Sequence, residues 1–298
     1  MFGGKKRLAL ALSVLLAGSV LLAGCSPQQS QTSPAPGNGS ISGSITAAGS
    51  SALQPLVDQA AKQFMDKNPN AKISVQAGGS GTGLTQIAAG SIDIGDSDLF
   101  AAEKLDASKA AALVDHKVCV VGFATVVNPS VTVDNVTKDQ LKGIFTGKIT
   151  NWKDVGGNDQ KITVINRPSS SGTRATFKKY ALDGLNEAQG LALTEDSSGA
   201  VSKAVGDTPG AISYLALSYT STNTTTLKLL KLDGVDPTND NIASGKYPIW
   251  SYEHMYTKGE PQGLTKAFID YITSDEAKPL IQKLGYIVSS DMKVSRDK

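Results

Sequence analysis

The chain has 298 residues, with 29 basic and 27 acidic side chains, 40% hydrophobic and 6% aromatic residues, and two cysteines. That length allows one large domain or two ordinary ones, each able to bury a core, and the near-zero charge argues against a general nucleic-acid binder, which carries a basic excess or a clustered basic face. Two cysteines cannot frame a disulfide scaffold and neither stands in a zinc spacing, while His116 and His254 are the only histidines, so no metal or other cofactor is expected and the chemistry falls to hydroxyls, carboxylates, glycines and a few arginines.

Residues 1–24 read as a leader. Lys5, Lys6 and Arg7 form a positive start, Leu8 to Leu22 an apolar stretch, and Ala23 and Gly24 a small-residue end. The apolar stretch is shorter than the roughly 20 residues that span a bilayer. Leu22-Ala23-Gly24-Cys25 resembles the bacterial lipobox, which makes Cys25 the expected lipidation site; the plainer alternative is an ordinary secretory signal followed by a chance cysteine. Three basic residues and no acidic ones leave with the first 24, which takes the formal balance from +2 to −1. Residues 25–44 then carry no charge and almost no apolar side chain, a composition expected to form a flexible tether. The second cysteine, Cys119, sits in the apolar run Val118-Cys119-Val120-Val121 and reads as a core thiol.

From Ile45 onward short apolar runs alternate with helical patterns, the rhythm of an α/β fold. Strands are expected at Ile45–Ala48, Ile73–Val75, Ile92–Ile94, Val118–Val127 and Ile162–Ile165. Leu53, Leu56, Val57, Ala60 and Phe64 fall on one helical face closed by Asn68-Pro69. Further helices are expected at Leu84–Ala89, Thr137–Phe145 and Ala175–Leu182, and two late stripes run through Leu264, Phe268 and Tyr271-Ile272 and through Ala277, Leu280, Ile281 and Leu284. Ala211–Leu217 is strand or helical turn; its pattern fits both.

Three segments between an expected strand and an expected helix share one design: Gly49-Ser50-Ser51, Gly78 to Gly83, and Ser169-Ser170-Ser171-Gly172-Thr173. Small residues let the backbone approach a ligand, and a helix N-terminus offers unpaired N–H groups and about half a positive charge. Together they would surround one compact anion. Singly, each also has a structural reading. Ser51-Ala52-Leu53-Gln54 fits a capping box, and glycine-rich turns are commonly only turns.

Arg167 follows the Ile162–Ile165 strand, and a guanidinium grips an oxyanion with two parallel hydrogen bonds; most arginines instead make surface ion pairs. Asp98 closes Asp93-Ile94-Gly95-Asp96-Ser97-Asp98, where the local pattern favours a turn or cap. Inside an anion site its ionised carboxylate would accept the proton that phosphate keeps at neutral pH and that sulfate lacks.

Ala48-Gly49-Ser50-Ser51, Gly79-Ser80-Gly81-Thr82-Gly83, Ser97-Asp98 and Arg167 followed by Ser171-Gly172-Thr173-Arg174 resemble the ligand loops of the phosphate-binding proteins of bacterial ABC phosphate importers, the PstS family. Gln140 to Trp152, Pro209 to Tyr214 and Leu284-Gly285-Tyr286 extend the match, which runs from about Ile45 to Ser289. The resemblance implies a two-lobed type II periplasmic-binding-protein fold, with lobe 1 from 45–124 and 251–298 and lobe 2 from 125–250. Val118–Val127 and Tyr247–Tyr256 would be the crossover strands that form the hinge. It implies that phosphate is bound by Ser51, Ala52 (through its backbone N–H), Ser80, Asp98, Arg167, Ser171, Gly172 and Thr173. The implied partners are inorganic phosphate, the permease and ATPase subunits of the importer, and the membrane through the lipid anchor. Two features depart from the family pattern: Ala52 replaces a larger residue, and Pro168-Ser169-Ser170 stands where an acidic brace for the arginine is usual.

Three other functions compete, one of them a purely adhesive or sensory surface role, which can ride on the same binding fold. Another tetrahedral oxyanion such as sulfate is disfavoured by Asp98. A serine hydrolase needs a base and an orienting group near its nucleophile, and Thr82 breaks the only approach to a Gly-x-Ser-x-Gly elbow around Ser80.

Overall fold

The structure, a computed structural model, describes residues 41–190, 192–220 and 225–296. The expected leader over 1–24, the lipidated Cys25 and most of the tether over 25–44 lie outside the described residues. Strand β1 (Gly43–Gly49) starts two residues before Ile45, which shortens the expected tether. Gly43 and Ser44 carry no strand signal of their own; parallel pairing with β2 (Ala71–Ala77), from Gly43 opposite Ala71 onward, draws them in.

Between these strands α1 (Gln54–Lys67) buries Leu56, Val57, Ala60, Ala61 and Phe64. Pro55 lies in its first turn, where a missing N–H costs little. The expected capping box at Ser51 is not formed: Leu53 is the cap residue, and the Ala52 and Leu53 amides donate to Ser50 Oγ instead. Helix α2 (Ser80–Ala89) begins four residues before the expected Leu84, because packing holds Ser80–Gly83 helical despite the poor propensity of glycine. Strand β3 (Ile94–Ser97) lies later than the expected Ile92–Ile94. Asp93 turns back to accept from the Thr46 amide at 2.8 Å, and the strand proper is the polar, fully buried Ile94-Gly95-Asp96-Ser97.

After the short α3 (Ala107–Ala111), β4 (Leu113–Val127) runs for 15 residues, of which the ten from Val118 on are buried without a break. Such a run is buried on both faces. Beyond β5 (Asn135–Val136), α4 (Lys138–Phe145) opens on a capping box: Thr137 Oγ1 accepts from the Gln140 amide, and the Gln140 side chain accepts from the Thr137 amide. Next come β6 (Thr163–Asn166), α5 (Gly172–Tyr180), β7 (Ala192–Thr194) and α6 (Ser198–Asp207). The ambiguous Ala211–Leu217 resolves into β8 (Ala211–Ala216) followed by the helical turn α7 (Leu217–Thr220). The chain continues through β9 (Lys228–Leu229), β10 (Lys231–Leu232) and α8 (Asn239–Ala243) to β11 (Trp250–Lys258). This last strand starts after the expected Tyr247, since Pro248 has no N–H to give a ladder. It is followed by α9 (Gly263–Ile272) and α10 (Lys278–Lys283). Leu264, Phe268, Ile269 and Ile272 are the buried face of α9, whereas Tyr271, expected in the stripe, reaches out to Gln63 at 2.8 Å.

Among the described residues one sheet runs in the order β2-β1-β3-β11-β4-β8-β6-β7, with β9 also on β4, and β5 and β10 form a small second sheet. Parallel strands β2, β1 and β3 make one half and parallel strands β8, β6 and β7 the other. Two antiparallel strands, β4 and β11, lie between. From Leu113 to Gly122 β4 pairs with β11, and from Phe123 to Val127 it pairs with β8, so it passes from one half to the other within a single strand.

The Phe268 ring is fully buried and meets Phe64 edge-on at 5.6 Å, which ties α9 to α1. Phe268→Ala should cost about 3–5 kcal/mol and lower the thermal midpoint by about 10 °C. An unchanged melting curve would contradict this packing.

Candidate functional site

In four places the chain leaves a parallel strand and soon starts a helix: α1 after β1, α2 after β2, α5 after β6 and α6 after β7. Crevices at the carboxyl ends of parallel strands are where α/β folds place ligands. Here Ser50, Ser51, Ser80, Asp98, Arg167, Ser171, Thr173 and Ser198 are all at most 3% exposed. Polar side chains hidden to this degree need partners, and the partners are largely one another.

Asp98 organises one end of the cluster. Ser50 Oγ donates to Oδ1, Thr173 Oγ1 donates to Oδ2 at 3.0 Å, and the Asp98 amide donates to Ser80 Oγ at 3.0 Å. Gly172 closes in from the other half of the sheet. A Cβ there would lie 2.2 Å from Ser80 Oγ and 2.9 Å from the Asp98 Cβ, so only glycine permits this approach. Gly79 plays the same part opposite Ser170: its φ is +84°, and a Cβ would lie 2.7 Å from the Ser170 carbonyl oxygen. The Gly81 amide donates to that same oxygen at 2.9 Å, so α2 and the loop before α5 are joined directly.

Arg167 organises the other end. Its Nη2 donates to Ser51 Oγ at 3.2 Å and to the Asp196 carbonyl at 3.0 Å, and Nη1 donates to Ser198 Oγ at 3.4 Å. Its Nε is buried without a partner. Burial pushes the guanidinium pKa down, opposed by Tyr214 and Asp98. Ser51 Oγ also accepts from the Ser198 amide at 3.1 Å, which brings the first turn of α6 to the site. Arg167 makes no ion pair with any carboxylate among the described residues; hydroxyls and a carbonyl occupy the place of the brace that Pro168-Ser169-Ser170 cannot supply.

The eight residues expected at the site meet in one buried cluster. Ser171 caps α5 by accepting from the Arg174 amide at 3.1 Å, and Gly172 and Thr173 open the helix behind it. Ala52 is in place, but its amide donates to Ser50 Oγ at 3.1 Å. The sequence reading placed Ser50 in a ligand loop without a role of its own and passed over Ser198 and Glu187. Asp196-Ser197-Ser198-Gly199 is a fourth hydroxyl-glycine segment before a helix, with Val201 and Val205 on its buried face, so that signal was present. Arg174 points away from the cluster. Its Nη2 lies 2.9 Å from Glu187 Oε2 and its Nη1 donates to the Arg167 carbonyl at 2.6 Å. Tyr214 donates to the same carboxylate at 2.8 Å. The trio holds the backbone of Arg167 from behind.

Comparison with known proteins places this geometry among related chains. A model of the PBP superfamily domain matches residues 34–276. The phosphate-binding protein PstS of Bacillus subtilis is 53% identical over 98% of both chains. The phosphate-binding protein PstS of Borreliella burgdorferi is 29% identical over 82% of this chain and 89% of its own. Among solved structures, a protein described as a phosphate ABC transporter substrate-binding protein with bound phosphate, from Clostridium perfringens, superimposes with a TM-score of 0.76 at 30% identity, covering 83% of this chain and 99% of the other. An ABC-type phosphate transport receptor from Vibrio cholerae superimposes with a TM-score of 0.65 at 32% identity, covering 83% and 100%.

Removing Arg174 would leave Glu187 buried and unpaired, so Arg174→Ala should destabilise by about 3 kcal/mol at neutral pH, measured from denaturant midpoints. Burial raises the Glu187 pKa above its ordinary 4.5, against the lowering effect of Tyr214 and Arg174. A raised folded pKa means that the folded state holds the proton more tightly, so stability is lost as pH rises through that value. Arg174 limits that loss. The deficit of Arg174→Ala should therefore be small below 4.5 and open as pH rises; a deficit that does not change with pH would contradict the pairing.

Proposed function

We propose that this chain, which belongs to the PBP superfamily and within it to the PstS family of phosphate-binding proteins, is an extracytoplasmic, lipid-anchored solute-binding protein. It captures inorganic phosphate between two lobes and passes it to the permease and ATPase subunits of an ABC importer. The lobes are 45–124 with 251–298, extended by Gly43 and Ser44, and 125–250, with β4 and β11 as the hinge. The observation that carries the reading is Asp98, a buried carboxylate that accepts from two hydroxyls and is not bonded to the buried Arg167 of the same cluster.

An oxyanion entering the cleft loses its water and needs replacement donors on every side; an unpaired buried charge costs several kcal/mol. Ser51, Ser80 and Ser171 offer hydroxyls, Ala52, Gly172 and Thr173 offer amides, and Arg167 offers Nε and its terminal nitrogens. Ser51 Oγ and the Ala52 amide give up their present internal partners in exchange. Asp98 then accepts the phosphate hydroxyl. Sulfate, with no proton to give, would face the carboxylate without a hydrogen bond, and the same group that admits one anion rejects the other. Ser198, on the first turn of α6, adds a further donor beside Arg167. A binding role rather than a catalytic one is supported by the histidines: His116 lies 3.0 Å from Thr257 Oγ1 and His254 Nδ1 lies 2.7 Å from Asp115, and neither is hydrogen-bonded to a site hydroxyl.

Calorimetric titration should give a phosphate Kd of about 1 μM or tighter, close to −8 kcal/mol. A constant weaker by a factor of about 100 would end the capture role. Asp98→Asn should weaken phosphate binding by at least about tenfold and narrow the gap to sulfate, the size expected when one charge-assisted hydrogen bond is lost; an unchanged ratio would remove Asp98 as the proton acceptor. For the anchor, Cys25→Ser should move the protein from the membrane fraction to the medium, and equal membrane retention would exclude lipidation at that thiol.

A further inference from the structure

Glu253, on the central strand β11, is a buried carboxylate that the binding reading does not use. It lies on β11 and is fully buried, and neither carboxyl oxygen has a hydrogen-bond partner. A buried polar group left in that condition calls for an explanation. Its position supplies one. Strand β11 runs antiparallel to β3, with Met255 opposite Asp96 and His254 opposite Ser97, where the ladder ends; Glu253 and Asp98 are the next residues on either side, and their side chains are neighbours. Like charges held side by side on adjoining strands repel.

Two buried carboxylates in such a pair cannot both ionise cheaply; one keeps a proton. The hydrogen bonds decide which. Asp98 accepts from Ser50 Oγ and from Thr173 Oγ1, the pattern of the acceptor form; Ser50 also lies beside Glu253, but its single hydroxyl proton goes to Asp98, and no other donor reaches Glu253. A carboxylate has about four acceptor positions. Two on Asp98 are filled, which leaves room for one donor from within the protein and one from the ligand. The terminal torsion of a glutamate is broad, so its carboxyl can turn toward a neighbour at little cost.

We infer that Glu253 is a positioning residue for the ligand-recognising carboxylate: as the neutral acid it donates its O–H to Asp98, holds that group in its acceptor form, and leaves the remaining lone pair of Asp98 for the hydrogen of the bound phosphate. This rests on the phosphate-binding reading above. Burial first, and then the adjacent Asp98, raise the Glu253 pKa well above the ordinary carboxylate value. The groups around it add negative charge or none. Asp96 faces it from β3, Asp98 from just after that strand, and Ser50 from the β1–α1 turn. Cys119 lies opposite it on β4, and Tyr286 approaches from the segment after α10. Asp96 is itself raised well above its usual value, by burial first and then by Asp58 and Asp98.

The test is calorimetric titration of phosphate and sulfate into the full chain and its Glu253→Gln and Glu253→Leu variants. Gln keeps a donor but cannot ionise, and should bind phosphate within about threefold of the original, whereas Leu should bind about tenfold more weakly or worse, the effect of losing one hydrogen bond to a charge. As pH rises, the original protein should lose affinity relative to Gln, because an ionised Glu253 sets a second negative charge beside Asp98. Equal phosphate affinities and equal phosphate-to-sulfate ratios in the Gln and Leu variants would overturn the role. Should the Leu variant fail to fold, parallel pH profiles of the original and the Gln variant would overturn it. An original protein that binds no phosphate at any pH would refute the underlying reading instead.

Discussion

A buried acid and a buried base sit in one cluster without pairing with each other, and the rest of the site follows from that separation. Asp98 and Arg167 are 3% and 1% exposed, yet their partners are hydroxyls and a carbonyl, not a salt bridge. A direct ion pair would have neutralised both and left little for a ligand. Kept apart, the guanidinium retains an unpartnered Nε and the carboxylate retains acceptor capacity. A single tetrahedral ion that is both strongly negative and still protonated can complete both ends at once. The neutral donors between them give the cluster its adaptability, since hydroxyls rotate to suit whichever partner is present.

The fold supplies this separation through its topology. Asp98 follows a strand of one half of the sheet and Arg167 follows a strand of the other, and the chain between them crosses along β4. Contacts such as Thr173 with Asp98 and Arg167 with Ser51 therefore depend on how the two halves meet. Glycine is required where they touch: a methyl group at residue 172 would run into Ser80 and Asp98. Behind Arg167, the Arg174–Glu187–Tyr214 group fixes the backbone carbonyl and leaves the guanidinium to face inward. Positioning is thus divided: one arginine takes part in the cluster and a second, seven residues on, braces the first.

Much of this was legible in the chain itself, and the exceptions share causes. The apolar stripe of α1 and the ten-residue run of β4 were plain, because burial on one face or on both writes a period into the sequence. Strand β3 was displaced because Ile94-Gly95-Asp96-Ser97 is buried for what its polar groups do, so its period is silent. Helices α2 and α5 were expected to start late, since Ser80–Gly83 and Gly172 have weak propensity and are held by packing across the cleft. Ser198 was missed although its segment repeats the pattern of the other three. Glu253 could not have been found: only the pairing of β11 with β3 brings it near Asp98, 155 residues earlier in the chain.

The most direct test is a crystal structure of the chain grown with phosphate. The account predicts one phosphate enclosed between the halves, with an oxygen about 2.5–2.7 Å from an Asp98 oxygen and others about 2.8–3.0 Å from Arg167, Ser51, Ser171 and the first amides of α5. An ion bound elsewhere, with Asp98 and Arg167 joined in a direct salt bridge, would contradict it.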